Sequence, residues 1–262
     1  MWPVWAETFV LGQPLRLTGY GVFAILGATL ATLVCMRGAR RCGVQAFDAF
    51  AGSVIGLAFG LIGAKLLYLA VSIDRIRVEG ITPFLMQGGL VWYGGVLLGG
   101  AAVLVFLRGY RLDIPAFADC AAPAIAVGHA FGRMGCFMAG CCWGAPTNLP
   151  WGVRFAATPF FEGPVGVALH PVQLYEAGAE LLFAGLTWSL AGKVRKGGAF
   201  AIWLACYGSW RLAMELVFRA DDRGRGLFGA PPSVVLSVMA VAAGACAWFW
   251  PRRGLTTEKI VS

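Results

Sequence analysis

The sequence predicts an all-α polytopic membrane protein, with about seven transmembrane helices around a polar intramembrane cavity, N-terminus out and C-terminus in. Three observations carry this. The 262-residue chain is 59% hydrophobic and only 13% charged, with a mean hydropathy of +0.74, whereas soluble domains hold about 25% charged residues. The apolar residues gather into seven stretches, each near the roughly 20 residues that cross about 30 Å of hydrocarbon. The few ionisable residues inside those stretches include two arginines, Arg133 and Arg211.

The stretches cover residues 17–36, 49–72, 89–107, 114–134, 172–190, 198–218 and 232–250, so the whole chain, 1–262, reads as a single integral membrane domain. The first does not read as a cleavable signal, which has a basic start and a short core. Glu7 and a single base, Arg16, precede it, and its core is long. The second and third carry Gly56/Gly60 and Gly95/Gly99, GxxxG pairs that let helix backbones approach closely in lipid. The fourth is the least apolar, holding Asp119, His129 and Arg133. A long loop, 139–170, follows it. The fifth opens at Pro171, a residue suited to a first helical turn.

Bases order the loops. Arg37, Arg40, Arg41, Arg108, Arg111, Lys193, Arg195, Lys196, Arg252, Arg253 and Lys259 fall after the odd-numbered spans, eleven bases against seven on the other side, where Arg75, Arg77, Arg219, Arg223 and Arg225 mix with acids. The richer side is cytoplasmic by the positive-inside rule, which places loop 139–170 outside. The net charge of +8 is then a topology feature. With no basic patch interleaved with aromatics, nucleic acid is not an expected partner. A transporter would show paired interrupted helices in an internal repeat, and none is apparent.

Arginine near the bilayer centre costs roughly 2.5–3.5 kcal/mol on insertion scales, so Arg133 and Arg211 call for a polar cavity and an anion. A guanidinium fork matches phosphate oxygens, and phospholipid phosphate is the abundant anion at hand. The competing reading pairs Arg211 with Glu215, four residues on and on the same helical face. In HPVQLYEAGAE, residues 170–180, Gln173, Glu176 and Glu180 share a face; Glu176 either lines the cavity or lies at the outer interface, and Gln173 and Glu180 read as structural. Tyr93 sits between glycine pairs in QGGLVWYGGVLLGG. It reads either as a hydrogen-bond or proton-transfer group or as an interface anchor, and Tyr20 carries the same two readings. His129 suits general base work near neutral pH, against a structural role. Cys136, Cys141 and Cys142 cluster near His129 but lack the second ligand pair of zinc motifs. They read first as packing, then as a disulfide, and last as a metal site, so no metal is expected.

Six fragments, in order along most of the chain, resemble the prolipoprotein diacylglyceryl transferase family. They are GYGVFAILG with Tyr20, GAKLLYLA with Lys65, QGGLVWYGG with Tyr93 and Gly94, GRMGCFMAGCCWG with Gly132, Arg133, Gly135 and Gly144, HPVQLYEA with His170 and Glu176, and RLAMELVFR with Arg211 and Glu215. The resemblance implies a multi-pass enzyme of the bacterial cytoplasmic (inner) membrane. It would move a diacylglyceryl group from phosphatidylglycerol to the lipobox cysteine in the signal peptide of a preprolipoprotein, forming a thioether and releasing glycerol phosphate. It implies membrane lipids and that peptide as partners, and no cofactor. Arg133 and Arg211 match the family's arginines and Glu215 the acid after the second; Lys65, Gly94, His170, Glu176 and the other matched positions are candidate substrate contacts.

The chain departs from the family at three places. Tyr93 stands where studied members have a histidine proposed as base, Cys136 where the signature has asparagine, and Cys141 where it has glutamate. The Gly-Cys-Phe…Gly-Cys-Cys form resembles a divergent branch. The base therefore passes to His129 or Tyr93 as an expectation, or the substrate proton is handled without a dedicated base. Two alternatives remain at this level: a sister phospholipid-dependent transferase with another acceptor, and a non-catalytic lipid-binding membrane protein.

Overall fold

Each long apolar stretch folds as a helix in the computed structural model, which describes residues 4–10, 13–86, 89–156, 163–219 and 231–249. A hairpin of β1 (Val4–Val10) and β2 (Gln13–Thr18) leads into α1 (Gly19–Cys42) and α2 (Ala46–Val71). Two short helices follow, α3 (Ile73–Glu79) and α4 (Thr82–Met86), then α5 (Trp92–Gly109) and α6 (Ile114–Ala139). A second small hairpin, β3 (Val153–Arg154) with β4 (Ala168–Leu169), precedes α7 (Val172–Leu190), α8 (Gly198–Val217) and α9 (Pro232–Phe249).

Five helices, α1, α2, α5, α6 and α9, are long and apolar enough to cross a membrane. The two other long helices, α7 and α8, have 19 and 20 residues but bury Gln173, Glu176, Glu180 and Arg211. Those polar residues lower their hydropathy while facing the protein interior.

The all-helical expectation describes the body of the molecule and misses its two hairpins and the short α3 and α4. A search for 20-residue apolar runs passes over segments this brief. The expected fourth span also ended too early. Nothing breaks α6 until Gly140, which adopts a left-handed φ of 75°, so the helix carries Arg133 and Cys136 within it. Arg223, Arg225, Arg252, Arg253 and Lys259, counted in the charge asymmetry, lie outside the described residues, as do Gln87 and Gly88 of the third fragment.

Local chemistry sets the helix ends. Thr18 Oγ1 accepts from Gly21 N at 3.0 Å to start α1, and Asp113 Oδ1 accepts from Ala116 N at 3.1 Å to start α6. Such caps satisfy helix donors that have no intrahelical partner. The N-cap of α8, Gly197, has no capping side chain of its own. Asp119, buried on α6, supplies one from a distance, accepting from Gly197 N at 2.6 Å and Phe200 N at 3.1 Å. A carboxylate there is favoured by the positive end of the helix dipole. The acid that made span four look weak is thus a strut between α6 and α8.

Helix α6 is the hub, packing against α1, α7 and α8, while α2 pairs with α5 and α8 with α9. At the α2–α5 crossing the two GxxxG pairs meet. A Cβ added at Gly95 would lie 2.9 Å from Gly60 O, and one at Gly99 would lie 2.7 Å from Gly56 O. Only glycine permits that approach.

Candidate active site

Four segments converge on one carboxylate. Glu176, on the first turns of α7, is fully buried. Its Oε2 lies 2.7 Å from Arg133 Nε of α6, and its Oε1 accepts from Arg211 Nη1 of α8 at 2.8 Å. Arg219, two residues beyond the end of α8, donates from Nη2 to both oxygens at 3.1 Å. Glu215 takes the other side of Arg211, at 3.0 Å from Nη2, and lies 3.6 Å from Arg219 Nε. Three guanidiniums therefore face two carboxylates within this contact set. In such dry surroundings each charge needs its partners.

Arg133 differs from the other two. Its Nε donates to His129 Nε2 at 3.2 Å and stands in ion-pair contact with Glu176. Its two terminal nitrogens hydrogen-bond no described residue. They form the planar fork that grips phosphate oxygens in pairs.

His129, one turn before Arg133, has its other nitrogen fixed. Nδ1 lies 2.8 Å from Glu180 Oε1, while Glu180 Oε2 accepts from Trp203 Nε1 at 3.2 Å. A neutral ring with the proton on Nδ1 satisfies both contacts: it donates to Glu180 and accepts from Arg133. Trp92 stacks on the ring at 6.4 Å and Tyr207 meets it edge-on at 5.3 Å.

The remaining expected residues divide. Tyr93 packs edge-on against Trp92 at 5.9 Å and lies within the electrostatic reach of Arg211, Glu215 and Arg133. Tyr20 packs on the backbone of Gly135, where an added Cβ would meet its Cδ2 at 3.1 Å, and it feels the charges of Arg133 and the cysteine cluster. Gly132 has open space beside it. Gly144 is pressed against His170, whose carbonyl accepts from Gly144 N at 3.2 Å. His170 itself joins an aromatic group with Tyr175 and Phe218. Lys65 donates to Phe84 O at 2.7 Å with its ammonium 5.1 Å from the Tyr68 ring, which ties α2 to α4. Gly94 meets the carbonyl of Gly63, so its contacts are those of the α2–α5 crossing.

Sequence reasoning missed three participants. Arg219 was counted as an outer-loop base, although Arg211, Glu215 and Arg219 follow i, i+4, i+8 spacing and so share a helix face. Glu180 was given a structural role, and Tyr207 was not singled out; nothing in their local sequence marks a contact with His129. Gly140 then turns the chain so that the thiols of Cys136, Cys141 and Cys142 come within 4.8 Å of one another. All eight cysteines carry free thiols.

Comparison with known proteins gives the family. The family profile described as prolipoprotein diacylglyceryl transferase matches residues 7–250. A phosphatidylglycerol–prolipoprotein diacylglyceryl transferase of Clostridium tetani is 33% identical over 225 residues, covering 86% of this chain and 88% of the relative. A protein of the same name from Geobacter sulfurreducens is 33% identical over 232 residues, 86% of each chain, and one from Nitrosomonas europaea is 31% identical over 251 residues, 92% of this chain and 87% of the relative. With a match across nearly its full length, this chain belongs to the prolipoprotein diacylglyceryl transferase family.

Proposed function

We propose that the protein transfers the diacylglyceryl group of phosphatidylglycerol to the lipobox cysteine of a preprolipoprotein signal peptide in the bacterial inner membrane. The carrying observation is the open fork of Arg133 beside Arg211 and Arg219, gathered around Glu176. A headgroup phosphate bound there would be held by guanidiniums that also stabilise the charge growing on it as it leaves.

In this reading the acceptor sulfur attacks the glyceryl carbon and forms a C–S bond. The C–O bond to phosphate breaks with its electron pair on the phosphate oxygen, releasing glycerol phosphate. Once Arg133 Nε releases Nε2, His129 takes the thiol proton there, oriented by Glu180 as a histidine base is oriented by a third group. Tyr93 lies beside this site as a hydrogen-bond donor. Tyr20, Gly132 and Gly135 border the lipid's path, while Lys65, Gly94, Gly144 and His170 shape the walls through the packing described above. All seven long helices cross the membrane with the N-terminus outside, and α7 and α8 turn their polar faces to the cavity.

The test is direct. Purified protein is supplied with phosphatidylglycerol and a lipobox peptide, and the peptide mass is followed. A diacylglyceryl adduct on cysteine is expected. Absence of the adduct, while another family member forms it in the same detergent, assigns the chain to a sister reaction or to lipid binding.

A further inference from the structure

The cysteine cluster is unexplained by the transfer reaction, whose acceptor sulfur belongs to the substrate. Cys136 lies on the last turn of α6, Cys141 follows the Gly140 cap, and Cys142 has a left-handed φ of 60°, rare outside glycine. Together they place three thiols within 4.8 Å of one another, each only partly buried. Around zinc at about 2.3 Å per bond, thiolate sulfurs stand about 3.8 Å apart, so a small closure of the cluster forms the site. A disulfide would use two sulfurs and strand the third, and simple packing has no need for three sulfurs to converge.

The surroundings are held independently of any ion. Gln173 Nε2 donates to Cys141 O at 2.7 Å, and Cys141 N donates to Cys136 O at 3.1 Å. Ala145 N donates to Phe218 O at 2.7 Å, tying the loop to the segment that carries Arg219. Arg133 and Arg219 are within electrostatic reach of Cys142. A divalent cation with three thiolates carries a net negative charge, and these guanidiniums offset it.

We propose that Cys136, Cys141 and Cys142 bind a thiophilic cation such as zinc, whose open fourth position takes the acceptor cysteine as its thiolate. Three protein ligands and one exchangeable position are the pattern of catalytic rather than structural zinc. A thiol that coordinates such an ion is deprotonated outright, and the thiolate is the nucleophile. The chain thereby compensates for the tyrosine at position 93, which is a poor base. This inference rests on the transferase reading for its substrate. On coordination the acceptor S–H bond breaks and the proton passes to His129. The bound sulfur then attacks the glyceryl carbon as the C–O bond to phosphate breaks. No oxidant or reductant enters, and the thioether product, a weak neutral ligand, leaves the ion.

The experiment uses full-length reduced protein, stripped by a chelator and titrated with Co2+ without oxygen. A near-ultraviolet thiolate-to-cobalt absorption saturating at one ion per chain is expected, lost on adding zinc and absent in the Cys136→Ser, Cys141→Ser and Cys142→Ser variants. Lipobox peptide should shift the visible cobalt bands, and the same peptide with serine for cysteine should not. Stripped enzyme should transfer at least about 100-fold more slowly, the scale of a lost proton-transfer group, and zinc should restore it. Wild-type protein that gives no thiolate-to-cobalt absorption overturns the site, whatever its transferase activity. Full transfer by stripped enzyme overturns the catalytic role. Cobalt binding through all three cysteines with no thioether formed after zinc is restored upholds the site and sinks the transferase reading instead.

Discussion

At Arg133 one nitrogen organises the site and two remain for a ligand. Arg133→Lys keeps the charge but loses the fork. A charge-assisted hydrogen bond contributes about 1.5–3 kcal/mol, so kcat/KM for diacylglyceryl transfer should fall by roughly 10- to 100-fold. A wild-type rate would remove Arg133 from headgroup binding. His129→Gln should lower kcat by about 100-fold or more, as loss of a general base does, and Glu180→Gln should lower it less, because the ring would lose its orienting partner but keep its acceptor nitrogen. Single-turnover rates at saturating lipid separate the two. The guanidiniums were legible in the sequence because charge inside an apolar run has few innocent explanations. Their shared partner was not: whether Glu176 lined a cavity or the outer interface depends on how α7 docks on α6 and α8, which no local spacing records. Arg219 escaped for a related reason, since it lies beyond the apolar run where an arginine is commonplace.

At the scale of elements, glycine and aspartate do the joining. Gly95→Leu would drive a side chain into Gly60 O. Overpacking of this kind costs about 1–3 kcal/mol, visible as a lower thermal midpoint in detergent. A midpoint equal to wild type would mean that α2 and α5 separate without consequence. Asp119→Ala removes the remote cap of α8 and should cost about 1–2 kcal/mol by the same measurement. The long helices were readable to within a few residues because hydrocarbon thickness fixes their length. The hairpins and α3–α4 were not, because short segments are set by their neighbours rather than by the bilayer. The GxxxG pairs stand between these cases: the motif foretold close packing, and the structure supplied the partner.

Across the whole molecule, the polar groups concentrate where α6, α7 and α8 meet, and broad apolar faces such as Leu61, Leu97, Val105 and Leu182 point outward. That distribution suits a protein with lipid around it and a polar interior. Reporter fusions test the orientation: a phosphatase fused after loop residue 150 should be active, and one fused after Lys196 inactive. The reverse pattern would invert the topology and put loop 139–170 on the wrong side for a secreted peptide.

The carboxylate at the meeting point of three arginines also acts as a resident competitor. Being tethered, it is present beside those arginines at a very high effective concentration, and a dilute solution anion must outcompete it to enter. Chloride or free phosphate has little with which to do so. A lipid anion arrives with two acyl chains already anchored alongside, and so shares the same advantage of tethering. On the transferase reading Glu176 would act as a selectivity filter, reserving the arginines for ligands delivered by the membrane itself.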